Sequence, residues 1–332
     1  MPQDKTHQPA KAAVMLFLAT SVWGASFLAM KALGLKQQEA LPGSGTWFLT
    51  SLSLLARFGV SALLVGLWLG KKSADVTRLE ILQGAGLGAF GGLGILFQMD
   101  GVQHTAASTA AFLTQCYCVF IPVALAWHRR KIPAASLITG CVMVAAGVAV
   151  LANVDWRELR LGRGETESIL GSILFTGQIL WLERPKFHQN RHAVATFTMF
   201  VTVALVVLPV VLFTGNGWRE WTVAYASWPT VILIGFLTLG GTLAAYATMN
   251  YWQPHVPATE AGLIYCCEPV FTSVFALFLP GIMSAAFKIR YPNESLTPHL
   301  LIGGGLVTAA NLLAMWPTLR LSLLRPAADR AA

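Results

Sequence analysis

Two ionisable side chains stand where charge is expensive. Arg57 lies near the middle of the otherwise uncharged run 46–70, and Glu268 about halfway along the apolar run 256–279. A charge at mid-membrane costs roughly 2.5 to 3.5 kcal/mol on insertion scales, so it persists only when paired, wetted or used. Two readings stand for each residue. Either it belongs to a substrate or proton site in a cavity, or it is a structural ion pair or hydrogen-bonded anchor that fixes helix packing. Pro269 follows Glu268. A proline frees the carbonyl one turn earlier and bends its helix, and a kinked, charged helix suits a hinge beside a binding site.

Uncharged polar residues offer the rest of such a wall, because a solute site needs a few donors and acceptors among aromatic surfaces. Thr114, Gln115 and Tyr117 lie close together in one run, while Tyr265 and Glu268 fall three apart, Gln178 and Trp181 three apart, and Tyr246 and Asn250 four apart. Those spacings put each pair on one helix face. Gln98 and Trp23 add one residue each from two further runs. Any of them can instead serve an interhelical hydrogen bond, worth about 0.6 kcal/mol in a membrane. Glu260, in the first turns of its run, reads as a cap on the helix dipole. His104 and His255 read as wetted interfacial residues, with proton coupling as the alternative.

The elements that position these residues follow from composition. The chain has 332 residues, 55% hydrophobic and only 11% charged, with a mean hydropathy of +0.61. A soluble domain carries about a quarter charged residues, so most of this surface faces lipid. The net charge of +8 is scattered in twos and threes, which does not suit nucleic acid. Cys116, Cys118, Cys141, Cys266 and Cys267 sit inside apolar runs and are odd in number, so they read as small packing residues, with no disulfide framework, metal or cofactor expected. The glycines at 84, 86, 88, 91, 92 and 94 and at 303–305 lack a following Gly-Lys-Ser or Gly-Lys-Thr, so they read as close-packing ridges and not as a phosphate loop.

A crossing helix needs about 20 mostly apolar residues. On that rule the runs 12–30, 46–70, 81–99, 104–127, 132–152, 168–182, 193–213, 228–252, 256–279 and 298–318 predict ten helices, the first retained and not cleaved as a signal peptide. Lys and Arg favour one side of this arrangement, 14 against 8, which puts both termini in the cytoplasm. Trp47, Trp127, Trp156, Trp228, Trp252 and Trp316 fall near run ends as an interfacial belt.

The chain also resembles itself. A shift of 151 residues superposes His104 on His255, Ala107 on Ala258, Ala110 on Ala261, Cys116 on Cys267, Val119 on Val270, Phe120 on Phe271 and Val123 on Val274. A shift of 163 matches Leu137 with Leu300, Gly140 with Gly303, Val144 with Val307 and Ala146 with Ala309. The unit is five helices, and an odd number forces the second copy to enter from the opposite side. The predicted architecture is an all-α polytopic membrane protein of ten transmembrane helices in two inverted five-helix repeats, 12–152 and 168–318, joined by a linker loop at 153–167.

Trp23-Gly24-Ala25-Ser26-Phe27, Ala56-Arg57-Phe58, Ala107 through Thr114, Val119-Phe120-Ile121-Pro122 and Glu268-Pro269-Val270-Phe271 occur in that order across the runs. In these segments the chain resembles the drug/metabolite transporter superfamily, in its ten-helix EamA-type branch, over roughly residues 12–318. The resemblance implies a secondary carrier, usually an exporter of amino acids, metabolites or toxic analogues across the bacterial inner membrane. It implies a small-molecule substrate and the lipid bilayer as partners, with a proton or counter-substrate as the coupling species. Where members often carry a Gly-Glu-Arg turn, this chain has Leu279-Pro280-Gly281-Ile282. The competing class is a membrane-embedded enzyme acting on a lipid or prenyl substrate. Its required acid, base or metal cluster is missing from the pattern, since no His-Glu-x-x-His or paired acidic motif occurs.

Overall fold

The computed structural model describes residues 8–70, 76–128, 130, 135–151, 161–256, 261 and 264–324, and every regular element among them is helical. The helices are α1 Gln8–Ala40, α2 Thr46–Leu69, α3 Arg78–His104, α4 Ala107–Thr114, α5 Tyr117–His128, α6 Ala135–Leu151 and α7 Arg163–Leu182. They continue as α8 His192–Thr214, the short α9 Trp218–Ala224, α10 Trp228–Phe236, α11 Ala245–Trp252, α12 Glu268–Ala276, α13 Leu279–Phe287 and α14 Pro298–Leu324. Glu260, Trp156, residues 153–160 of the expected linker and the loop cations Lys5, Lys71, Lys72, Arg129, Lys131, Arg157, Arg160, Arg325 and Arg330 lie outside the described residues, as do the side chains of Trp316 and Arg320.

Exposure is inverted relative to a water-soluble protein. Phe213 is 90% exposed, Trp127 87% and Leu67 70%, while Arg57, Asp100 and Gln115 are buried to within 1%. Such a surface suits hydrocarbon and strands its polar groups inside the bundle. Among the described residues six helical stretches, α1, α2, α3, α4 with α5, α8, and α10 through α11, are long and apolar enough to cross a membrane, and seven if α12 and α13, bent by 55° at their junction, count as one span. The ten expected runs therefore meet that standard only in part. The described part of α6 is 17 residues long, and the first two turns of α7 carry Arg163, Glu165 and Glu167. Those three residues were expected in the linker loop, but they are helical because Arg163 pairs with Asp100 of α3 at 2.5 Å and with Glu167 at 2.9 Å.

The glycines set the packing. On α3, a methyl at Gly88 would come within 2.7 Å of the Met199 carbonyl of α8, and one at Gly101 within 2.9 Å of the Gly164 carbonyl of α7. Gly147 of α6 and Gly303 of α14 approach each other's carbonyls in the same way. Small residues let backbones meet where larger side chains would hold them apart. Gly305 is the exception, with open space around it. Below, the end of the bundle where α1 starts is the near end, and the opposite one the far end.

Candidate functional site

Two of the expected continuous helices are broken. The run 104–127 stops at Thr114, turns at Gln115–Cys116 and restarts as α5 at Tyr117. The run 256–279 turns at Cys266–Cys267 and restarts as α12 at Glu268, so Glu268 opens a helix and does not sit midway along one. The two turns are 151 residues apart, the same shift that aligns the sequence. The second break has a local cause. Pro269 has no N–H to offer the Tyr265 carbonyl. That carbonyl accepts instead from Gln115 Nε2 at 2.5 Å, and the same amide donates to Glu268 Oε2 at 3.1 Å. One break thus supplies the donor that the other lacks. Cys118 and Cys266 meet beside this junction with sulfurs 3.7 Å apart, both free thiols.

Beside the crossing lies a cavity of about 80 Å³. Trp23, Arg57, Gln98, Thr114, Tyr117, Gln178, Tyr246, Tyr265 and Glu268, all expected at a site, line it. Gln115 stands behind Glu268 as its hydrogen-bond donor. Two expected residues lie elsewhere. Asn250, one turn beyond Tyr246, donates to Thr196 Oγ1 of α8 at 2.8 Å. Trp181 faces α3, where its Nε1 donates to the Gln83 carbonyl at 3.2 Å and the Arg184 guanidinium lies 4.3 Å over its ring. The cavity also takes Ser26, Phe27, Met30, Ile95, Phe175, Ile179, Gly241 and Met249, which had not been singled out. Ser26, Phe27 and Met30 follow Trp23 by three, four and seven positions, a helical face readable from sequence.

Arg57 is 1% exposed. Its Nε donates to Thr242 Oγ1 at 3.1 Å and its Nη1 approaches the Met99 sulfur at 3.7 Å, and no carboxylate lies within 4 Å of it among the described residues. A buried guanidinium normally has an anion. Glu268, 8% exposed, likewise has the Gln115 amide and, among the described residues, no cation within 4 Å. Two opposite charges therefore line one cavity without pairing to each other. Thr242 belongs to a π-helical segment, Leu237–Ala244, joining α10 to α11. Such wide turns recur at functional sites because they free carbonyls; here Gly241 accepts from Trp23 Nε1 at 3.1 Å. Trp23 in turn contacts the rings of Tyr246 and Tyr265 at 5.5 and 5.9 Å, giving the cavity an aromatic wall.

The cavity's two sides differ. Toward the far end lies a space of about 10 Å³, lined by Gln37, Thr50, Met99 and Gln103 among others. Beyond it Lys31 Nζ donates to the Thr105 carbonyl, and Glu294 accepts from the Ala107 amide at 2.8 Å and from the Ser108 hydroxyl. Asp100, fully buried, binds Arg163, with His104 3.6 Å away. His104 thus belongs to a polar cluster at the far end. Toward the near end a cleft of about 310 Å³ is lined by Gln83, Glu183, His188, His192 and Gln253.

A cavity carrying ionisable and aromatic side chains, inside helices whose outer faces are apolar, marks a multi-pass membrane protein with an internal site. Comparison with known proteins narrows the class. Residues 10–153 match the model of the EamA-like transporter family. An uncharacterized transporter of Archaeoglobus fulgidus is 22% identical over 223 residues, 67% of this chain and 64% of that protein, so the chain spans just under two thirds of that relative's length. A protein of known crystal structure superposes over 94% of this chain and 99% of its own, with a TM-score of 0.56 and 18% identity, a likeness of fold.

Proposed function

We propose that the protein is a secondary transporter that exports a small metabolite, an amino acid or a toxic analogue across the bacterial inner membrane by alternating access. The observation that carries this reading is the meeting of the two helix breaks, 151 residues apart, at a cavity lined by Arg57 and Glu268, neither of which has an ion-pair partner among the described residues. Discontinuous helices at corresponding places of two halves mark the binding sites of inverted-repeat carriers. The same correspondence supports two oppositely facing five-helix repeats, 12–152 and 168–318, with both termini cytoplasmic. The near-end cleft then opens toward the cytoplasm, where an exported solute would enter.

In this reading Arg57 holds an anionic group of the solute, and Glu268 takes a cationic group or the coupling proton. Gln115 orients the Glu268 carboxylate, while Thr114, Gln98, Gln178, Tyr117, Tyr246, Tyr265 and Trp23 complete the wall. A solute must supply what the cavity's charges lack, because a buried ion without a partner is costly.

The test starts from a resistance screen of overproducing cells against metabolites and toxic analogues, followed by counterflow of the active compound in liposomes. Glu268→Gln is expected to abolish or uncouple exchange with membrane abundance unchanged; wild-type flux from the purified variant would remove Glu268 from the site. Arg57→Lys keeps the charge and loses the planar fork, so it is expected to weaken solute binding at least tenfold. Absence of counterflow by the wild-type protein for every compound that gives resistance would overturn the carrier reading.

A further inference from the structure

The central cavity and the near-end cleft lie in tandem along the same helices. On α7, Gln178 and Ile179 line the cavity, and Leu182 and Glu183, one turn on, line the cleft. Tyr246 and Met249 of α11 line the cavity, and Gln253, just past its end, lines the cleft. One helical turn advances about 5.4 Å, so along α7 the linings of the two spaces follow one another within one turn. Tyr265 forms part of the cavity wall, and its hydroxyl donates to Gln253 Oε1 on the cleft wall at 2.9 Å. Both side chains are buried.

We propose that Tyr265 and Gln253 form the gate between the near-end cleft and the central cavity, so that a solute passes when this one hydrogen bond is lost and the Tyr265 ring swings aside. The inference rests on the carrier reading of the cavity. Two features favour a gate over static packing. Breaking the bond strands no polar group, because Gln253 then faces the solvated cleft and Tyr265 the polar cavity. Tyr265 also sits at a hinge, since Cys266–Cys267 leave the helix directly after it and its carbonyl is held by the Gln115 side chain and not by a helical N–H. The ring can therefore move with the turn and leave the helix ladder of α12 intact.

The test is accessibility of the cavity from each face of the membrane. Ser26, on the cavity wall, is replaced by Cys in a full-length chain whose five native cysteines are changed to Ala or Ser, and the protein is reconstituted in liposomes. Labelling by a membrane-impermeant cationic methanethiosulfonate is then timed from each side. Tyr265→Phe and Gln253→Leu each remove one half of the bond. Each is expected to raise the near-side rate about five- to tenfold, the worth of one hydrogen bond. The double variant is expected to go no further, because both changes remove the same interaction. The far-side rate should stay at its starting value.

An unchanged near-side rate in both single variants overturns the gate. So does an equal rise from both faces, which would mean general loosening, or a fully additive double variant. Failure of the carrier reading looks different. A counterflow substrate that gives Ser26→Cys no protection from the reagent would remove the central site, whatever the gate variants do.

Discussion

At the far end of the cavity the bundle is tied by charge. Asp100, Arg163 and Glu167 hold α3 to α7, Lys31 binds the turn at Thr105, and Glu294 reaches from the segment after α13 to the first amide of α4. At the near side of the same cavity, next to the cleft, lies a neutral tyrosine–glutamine pair. Hydrogen bonds with an ionised partner are roughly twice as strong as neutral ones. The cavity is thus bounded by charge on its far side and by a neutral pair on its near side, while nearer the bundle's end Arg191 ties α8 to Glu80 of α3 at 2.7 Å.

That asymmetry can be broken in steps. Asp100→Ala is expected to do most, lowering the stability of the detergent-solubilised protein by about 2–3 kcal/mol, because it removes a fully buried carboxylate and Arg163, half-exposed, regains only part of the loss from water. The check is thermal denaturation, and a melting temperature equal to wild type would sink the claim that charge seals this end. Glu294→Gln should cost about 1–2 kcal/mol, since its carboxylate carries two bonds to the start of α4. It should also raise far-side labelling of Ser26→Cys without altering the near-side rate. The smallest effect belongs to Thr105→Val, whose lost bond to Glu165 at 2.5 Å lies partly in solvent and should change stability by about 0.5 kcal/mol. If these three changes weakened the protein equally, the graded seal would be wrong.

Much of this was legible in the residues themselves. The scarcity of charge identified the solvent, and Arg57 and Glu268, expensive where they stand, marked the cavity wall. Pro269 marked one helix break. The partner break at Gln115–Cys116 carried no proline or glycine to betray it, and only the sequence self-match at 151 residues pointed to the place. Trp181 and Asn250 show the limit of spacing arguments. Three or four residues of separation fix a shared face, but the neighbour met by that face depends on packing. Gly86 of α3 leaves room that the Trp181 indole fills, at a distance where any side chain on Gly86 would collide with it. Thr196 of α8 is similarly placed to receive Asn250. The charges of Arg163, Glu165 and Glu167 suggested a loop when taken alone, and became a helix start only through Asp100, some sixty residues earlier in the chain.

The wide turn at Leu237–Ala244 gives part of the cavity wall an unusual permanence. The oxygen that receives the Trp23 indole belongs to the main chain of Gly241, so every amino acid at that position would bring the same acceptor. Replacement there would alter bulk, pressing a new methyl to within 2.6 Å of the Ser26 hydroxyl, and would leave the lone pairs in place. Drift in this stretch can therefore reshape what fits in the pocket while the anchoring of its indole survives.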